Sequence, residues 1–409
     1  METSTWRAVI EDWLLSHLGR LELRPQEPYE ARLFRVKCLN EAALYLIWLD
    51  ALELAATAQG AHLGARVTQL CSEPLLDWCC RSAARSMMCA HILAYALRHR
   101  PLGAARKLRL QTAIGGRFCW HTEVVPCRQL DLLLACQYAH VAPPVSAEEV
   151  LRVSSVRLPP SAIHSDRNAF YAMAGTVIFR LAAGGAIDLS RDEKLGSAIE
   201  GGLCRALASS DFDLGAELAI CALADPVCDS PTVSLLFDAI VEELARTGVV
   251  GSQQRPSESE GRFLTRCPDE EWARFYHTTL VAAMLLAFME RRGFARVAEP
   301  DMAARKRRMG EILRCLHGYQ LHKALAELDG FYPQDKVELD LFEEIYDFFD
   351  FIRTDEGHFG CVTEEREAFD ARYPGGDFDA EVMAPLARDA SRFLSAREAV
   401  LSPIAETEC

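Results

Sequence analysis

The sequence predicts an all-α protein, with helical hairpins packed as an array or an α/α toroid. Three observations predict it. Apolar residues recur at helical spacing through most of the 409 residues. Alternating β-branched runs are few, so a sizeable sheet is not expected. Residues that start and stop helices punctuate the pattern and leave short connections. No fixed-period repeat stands out, which weighs against a solenoid.

The first helix is expected from Trp6 to Leu18, and a long one from Glu27 to Thr57. Leu33, Val36, Leu39, Ala42, Leu46 and Leu49 form the apolar face of the second. Further helices fit Ala65–Leu70, Pro74–Ala84, Ser86–Arg98 and Leu102–Ala113. Arg117 to Arg128 reads as irregular, and Pro126 opens a helix through Tyr138. Pro143 and Pro144 break the chain before a short helix from Ala147 to Val153. Asp166 can cap a helix through Ala182, and Gly184–Gly185 can end it. Leu195–Ala208, Asp213–Ala224 and Pro231–Thr247 follow. Gly248 to Glu260 (GVVGSQQRPSESE) is the clearest loop.

Glu271 to Met289 (EWARFYHTTLVAAMLLAFM) is apolar on most faces, so it is expected to be buried on most sides. Helices then fit Met302–Leu328, Asp335–Ile352, Glu364–Tyr373 and Phe378–Val400, with a frayed end from Ser402. The organisation expected is a helical array over 1–248, a surface loop or linker over 249–266, and a helical region over 267–409 packing on the first as one continuous fold.

The net charge of −15 favours solubility and argues against general binding to nucleic acid or anionic membrane. The N-terminus lacks a basic stretch followed by an apolar run. The 15 cysteines are scattered through helical patterns, which fits buried, reduced thiols in a cytoplasmic protein. No uncharged apolar run reaches membrane length; the nearest, Ala169 to Ile187, contains Arg180.

Several phrases carry a resemblance: VIEDWLLSHL, VKCLNEAALYL, EVVPCRQLDLLLA, DFDLGAELAICALA and RFYHTTLVAAMLL, spread over positions 9 to 286. The chain resembles an uncharacterised all-helical family seen mainly in high-GC bacteria. That resemblance implies the helical fold and a link to specialised metabolism, without a catalytic assignment. The family carries a histidine-bearing phrase where this chain has FYAMAGTVIFRLAAGG, which puts a role for that position in doubt.

Candidate chemistry comes from polar groups inside apolar helices. His277 lies on a face otherwise made of Val281, Met284 and Phe288. It is expected to line an internal cavity, with Tyr276 or Thr278 near the mouth. Glu217 is the only polar side chain from Leu214 to Ala224. Such a carboxylate must be paired, protonated or at a cavity. A pair with Arg180, itself in an apolar run, is the favoured reading; a cavity acid or base is the functional one. His91 and His322 sit on apolar faces, where a satisfied core histidine is the commoner outcome. Trp120 and His121 fall in the irregular segment, a common place for binding residues.

No cysteine or histidine spacing fits a structural zinc site, and no glycine-rich phosphate loop is present, so neither metal nor cofactor is expected. Arg305 to Arg308 reads as a solvated helix start, and Glu343, Asp347 and Asp350 as a solvent-facing stripe.

Two functions are carried forward. One is a metal-free tailoring enzyme of bacterial specialised metabolism, with His277, Tyr276 and Glu217 catalytic. It acts on a peptide in its concrete version, a peptide cyclase, with His91, Trp120, His121, Thr278, His322 and Arg180 binding substrate. The other is a non-enzymatic helical module that binds a peptide or partner protein. An enclosed cavity collecting His277, Glu217 and another ionisable group favours the first.

Overall fold

Side-chain caps mark where the chain turns into helix. Thr57 accepts from Gly60 N, Asp166 from Ala169 N, Ser230 from Val233 N and Asp335 from Glu338 N. Each satisfies a backbone donor that the first helical turn leaves open. Left-handed Gly248 and Gly293 end two of the longer helices.

The structure is a computed structural model. It describes residues 3–24, 26–185, 193–225, 230–251, 272–296, 300–353, 382–397 and 399–401. Among them there are helices and connections and no sheet. The helices are α1 Thr3–His17, α2 Tyr29–Ala51, α3 Ala58–Leu70, α4 Glu73–Cys79, α5 Ala83–Met88, α6 Ala90–His99 and α7 Ala104–Gly115. There follow α8 Arg117–Thr122, α9 Pro126–Tyr138, α10 Ala147–Leu151, α11 Arg167–Ala182, α12 Glu193–Ala208, α13 Phe212–Ala222 and α14 Pro231–Thr247. The last are α15 Ala273–Arg292, α16 Pro300–His317, α17 Leu321–Leu328, α18 Lys336–Ile352 and α19 Ala384–Ser395.

Several expected boundaries move for local reasons. The long second helix stops at Ala51, and Glu53 turns the chain with φ 54°. Ser86–Arg98 divides at Cys89 into α5 and α6. Arg117–Thr122 is a short helix where irregular chain was expected. Met302–Leu328 divides at Gly318–Gln320, where Tyr319 is left-handed. The expected helix Glu364–Tyr373, the end from Ser402 and most of the 249–266 segment lie outside the described residues.

Two apolar cores form. The larger draws on α1 to α15, and α15 packs against α1, α2 and α13 at its centre. The smaller is built by α16 to α19 with Ala162, Ile163 and Cys204. Helix α12 lies between them: Leu195, Ile199 and Leu203 face the larger core, and Cys204 the smaller. A Cβ at Gly310 of α16 would strike the Cys204 carbonyl of α12. Gly310→Ala is therefore expected to cost about 1–3 kcal/mol through forced separation of the two helices. An unchanged thermal midpoint would show that the helices can part freely.

Lys306 corrects the reading of Arg305 to Arg308 as a solvated run. It is 3% exposed, with Nζ 3.2 Å from Glu338 Oε1, 3.6 Å from Glu200 Oε1 and 3.6 Å from Asp335 Oδ2. Arg305 lies over the Phe331 ring and binds the same Glu338. Buried charges hold here because each is compensated.

Candidate functional site

A cavity of about 730 Å³ opens between α2, α5, α6, α9, α11, α13 and α15. That is the size of a small-molecule site. Helical spacing decides which side chains reach it. On α2 these are Leu33, Phe34, Lys37, Asn40, Glu41 and Leu44, one stripe along the helix. On α15 they are His277, Leu280, Val281 and Met284; on α11, Tyr171, Gly175, Ile178 and Phe179. Helix α9 adds Cys127, Arg128, Asp131 and Leu132, and α13 adds Glu217 and Ile220. The walls are mostly apolar, with ionisable groups set into them.

His277 sits between two carboxylates. Its Nδ1 is 3.3 Å from Glu41 Oε1 and its Nε2 is 3.6 Å from Asp213 Oδ1. These are ion-pair separations, and Nδ1 makes no well-aligned hydrogen bond. Although protein surrounds it, His277 keeps 38% of its side-chain surface accessible and lines the cavity. Burial pulls its pKa down, but the Asp213 and Glu41 charges outweigh that and hold it raised, at about 10. At neutral pH His277 is an imidazolium. Glu41 is correspondingly lowered: burial pushes it up, and His277 and Lys37 more than offset this.

Asp213 is shared. Tyr171 donates to its Oδ2 at 2.6 Å, and Arg167 reaches the same oxygen at 3.4 Å. The Arg167 guanidinium also forks onto Asp211 with two bonds of 2.7 Å.

Glu217 differs from these groups. It lines the cavity, and no ion pair or hydrogen bond to its carboxyl is found among the described residues. Burial raises its pKa, the Asp213 charge adds to this, and the carboxyl is pushed up to about 8. His277 and Arg167 act in the opposite sense without cancelling the rise.

A second histidine meets the cavity from α6. Asn40 Oδ1 accepts from the backbone N–H of His91 and of Ile92, at 3.0 and 3.2 Å. That orients the Asn40 amide so its Nδ2 donates to His91 Nδ1 at 3.1 Å. The His91 proton therefore sits on Nε2, 2.8 Å from Asp131 Oδ1 but off the line of a good hydrogen bond. Neighbouring residues Asn40 and Glu41 of α2 thus each hold one imidazole.

The structure brings His277, Glu217 and His91 to one cavity and places the other expected residues elsewhere. Tyr276 is 1% exposed, donates to Cys38 O at 2.8 Å and stands edge-on to Trp272. Held by these contacts, Tyr276 is absent from the cavity wall. Thr278 is buried and absent from the cavity wall. Trp120 is buried with Nε1 donating to Ile114 O at 3.2 Å, and His121 is exposed. His322 lines a separate space of about 460 Å³ in the smaller core, with Tyr346 and Phe393. Arg180 does not pair with Glu217. Its guanidinium folds over the helix end at Gly185, where a Cβ would strike it.

Glu41, Asp131, Asp213 and Tyr171 were not picked out from the sequence. The signal for Glu41 and Asp131 was the one that singled out Glu217, an acidic residue set in an apolar helical run. Among the described residues, no group of three or more His, Cys, Asp and Glu is placed to hold a metal ion. No described helix is long and apolar enough to cross a membrane.

Fold and cavity together define the class: an all-helical protein with ionisable groups set around an apolar internal space. Within it, the chain belongs to the family described as Domain of unknown function (DUF6895), whose pattern matches residues 8–287. That span takes in every cavity residue, from Leu33 to Met284. No curated protein and no solved structure matches the chain.

Proposed function

We propose that the protein is a general acid–base enzyme acting on a largely apolar molecule held in this cavity, with Glu217 transferring the proton. The observation that carries the reading is a carboxyl in a mostly apolar wall that has no partner among the described residues. A group whose pKa lies near the working pH can both give and take a proton. His277 takes a different role from the catalytic one expected of it. Clamped between Glu41 and Asp213, it is a fixed positive charge that holds the cavity electrostatics in place. The chemistry asks for no metal. A tailoring role in specialised metabolism is the form that the resemblance of the sequence suggests for such an enzyme, and a peptide cyclase is one concrete version.

A binding module for a peptide or partner protein is the second reading, favoured by the internal pairing of both histidines. Glu217→Gln separates the two. Turnover of any compound found by mass-spectrometric screening is expected to fall about 10²–10⁴-fold in this variant, the usual weight of general acid–base catalysis. Turnover left intact in folded Glu217→Gln overturns the catalytic assignment. Ligand retention without turnover in both proteins favours the module.

A further inference from the structure

The charges around the cavity do not balance evenly. Lys37 and His277 are matched by Glu41 and Asp213. Arg128, exposed on α9, is outnumbered by Glu123 and Asp131. Glu217 remains, with no cation from the protein paired to it among the described residues. The groups facing Glu217 are Arg167 and Tyr171 from α11, His277 from α15, Cys127 from α9, Asp213 and Cys221 from its own helix, and Asp211, which caps that helix. The cations in that set are committed to the aspartates and to Glu41. Helices α12 and α14 meet α13 through apolar contacts at Gly215 and Leu218. The walls also carry the aromatic rings of Phe34, Tyr171 and Phe179 and the polarizable side chains of Met87, Met88 and Met284. Aromatic faces attract cations, and thioethers adapt to apolar bodies of varied shape.

We propose that the cavity binds an apolar amine in its ammonium form, with Glu217 as the counter-ion. This deepens the reading of Glu217 as the uncommitted acid and rests on it. A primary alkylammonium has a pKa near that of lysine, about 10.4, and enters charged at neutral pH. Its arrival supplies the cation that Glu217 lacks. The carboxyl then ionises, and its proton leaves to solvent: carboxyl and ammonium become a carboxylate–ammonium pair plus one free proton. An anion of the same apolar body meets the opposite situation. It faces Glu123 and Asp131 and leaves Glu217 protonated, so charge selects against it.

Calorimetry at pH 7 in two buffers of different ionisation enthalpy tests this, with decylammonium, decanoate and decanol as probes. Decylammonium is expected to bind at least about tenfold more tightly than decanoate, a difference of about 1.4 kcal/mol. Its binding is expected to release nearly one proton. Glu217→Gln is expected to abolish that release and weaken decylammonium about tenfold or more while decanol binds as before. Arg128→Ala, a substitution on an exposed position, is expected to tighten decylammonium. Equal affinity for decanoate and decylammonium overturns the proposal, as does ammonium binding by the wild type without proton release. Absence of turnover in every protein, with ammonium binding and proton release intact, sinks the catalytic reading and still supports this one.

Discussion

Glu11→Ala is expected to remove about 3–5 kcal/mol of stability, the cost of breaking a buried charge network by deleting one partner. Glu11 is 0% exposed. Its Oε1 accepts from Arg7 Nη1 at 3.2 Å and from the Tyr45 hydroxyl at 2.7 Å, and its Oε2 accepts from Thr57. Arg7 continues to Glu290 of α15 at 2.9 Å. Without Glu11, the hydroxyls of Tyr45 and Thr57 lose their acceptor, and Arg7 keeps only half of its compensation. Urea midpoints measure the loss. A midpoint within error of wild type would mean that water replaces the carboxylate at no cost, contrary to the burial described.

The second large effect is a fall in stability as pH rises. Glu217 goes from its usual 4.5 to about 8 in the fold. Between those values the folded chain holds a proton that the unfolded chain has lost. Each step up in pH therefore favours unfolding until about pH 8. His277 adds to the trend: raised from 6.5 to about 10, its contribution is complete below 6.5 and is lost as pH rises toward 10. Both terms decline together between about 6.5 and 8. Glu217→Gln removes the carboxyl's share, so its stability is expected to fall less steeply from pH 5 to 8. Parallel midpoint-versus-pH curves for variant and wild type would show that Glu217 ionises normally in the fold.

That expectation reverses what the sequence suggested for Glu217. A carboxylate in an eleven-residue apolar run must be paired, protonated or at a cavity, and sequence alone cannot choose. Pairing depends on which face of α11 meets α13 and on where Arg180 is drawn, and its guanidinium folds over the helix end at Gly185 instead. The same limit explains Tyr276. On a helix apolar all round, periodicity says that every face is buried but not which one borders empty space. Helix ends were more readable, because Asp166, Ser230 and Gly248 act through their own backbone neighbours. His277 and His91 were visible as polar breaks in apolar stripes. Their partners were not, since Glu41 and Asp213 reach His277 from distant parts of the chain.

The closure of α1 and α2 by α15 has a consequence for how the chain is made. Arg7 meets Glu290, Tyr276 bonds Cys38 O, and Trp48 Nε1 donates to Met284 O at 3.1 Å. Each contact joins the start of the chain to a helix synthesised long afterwards. At about 5–20 residues per second, the ribosome leaves the first helices waiting on the order of ten seconds or more for their partner. During that interval the face of α2 that will border the cavity has no opposite wall. Its apolar side chains stay uncovered until α15 has been made, so that helix is the last piece the larger core needs to close.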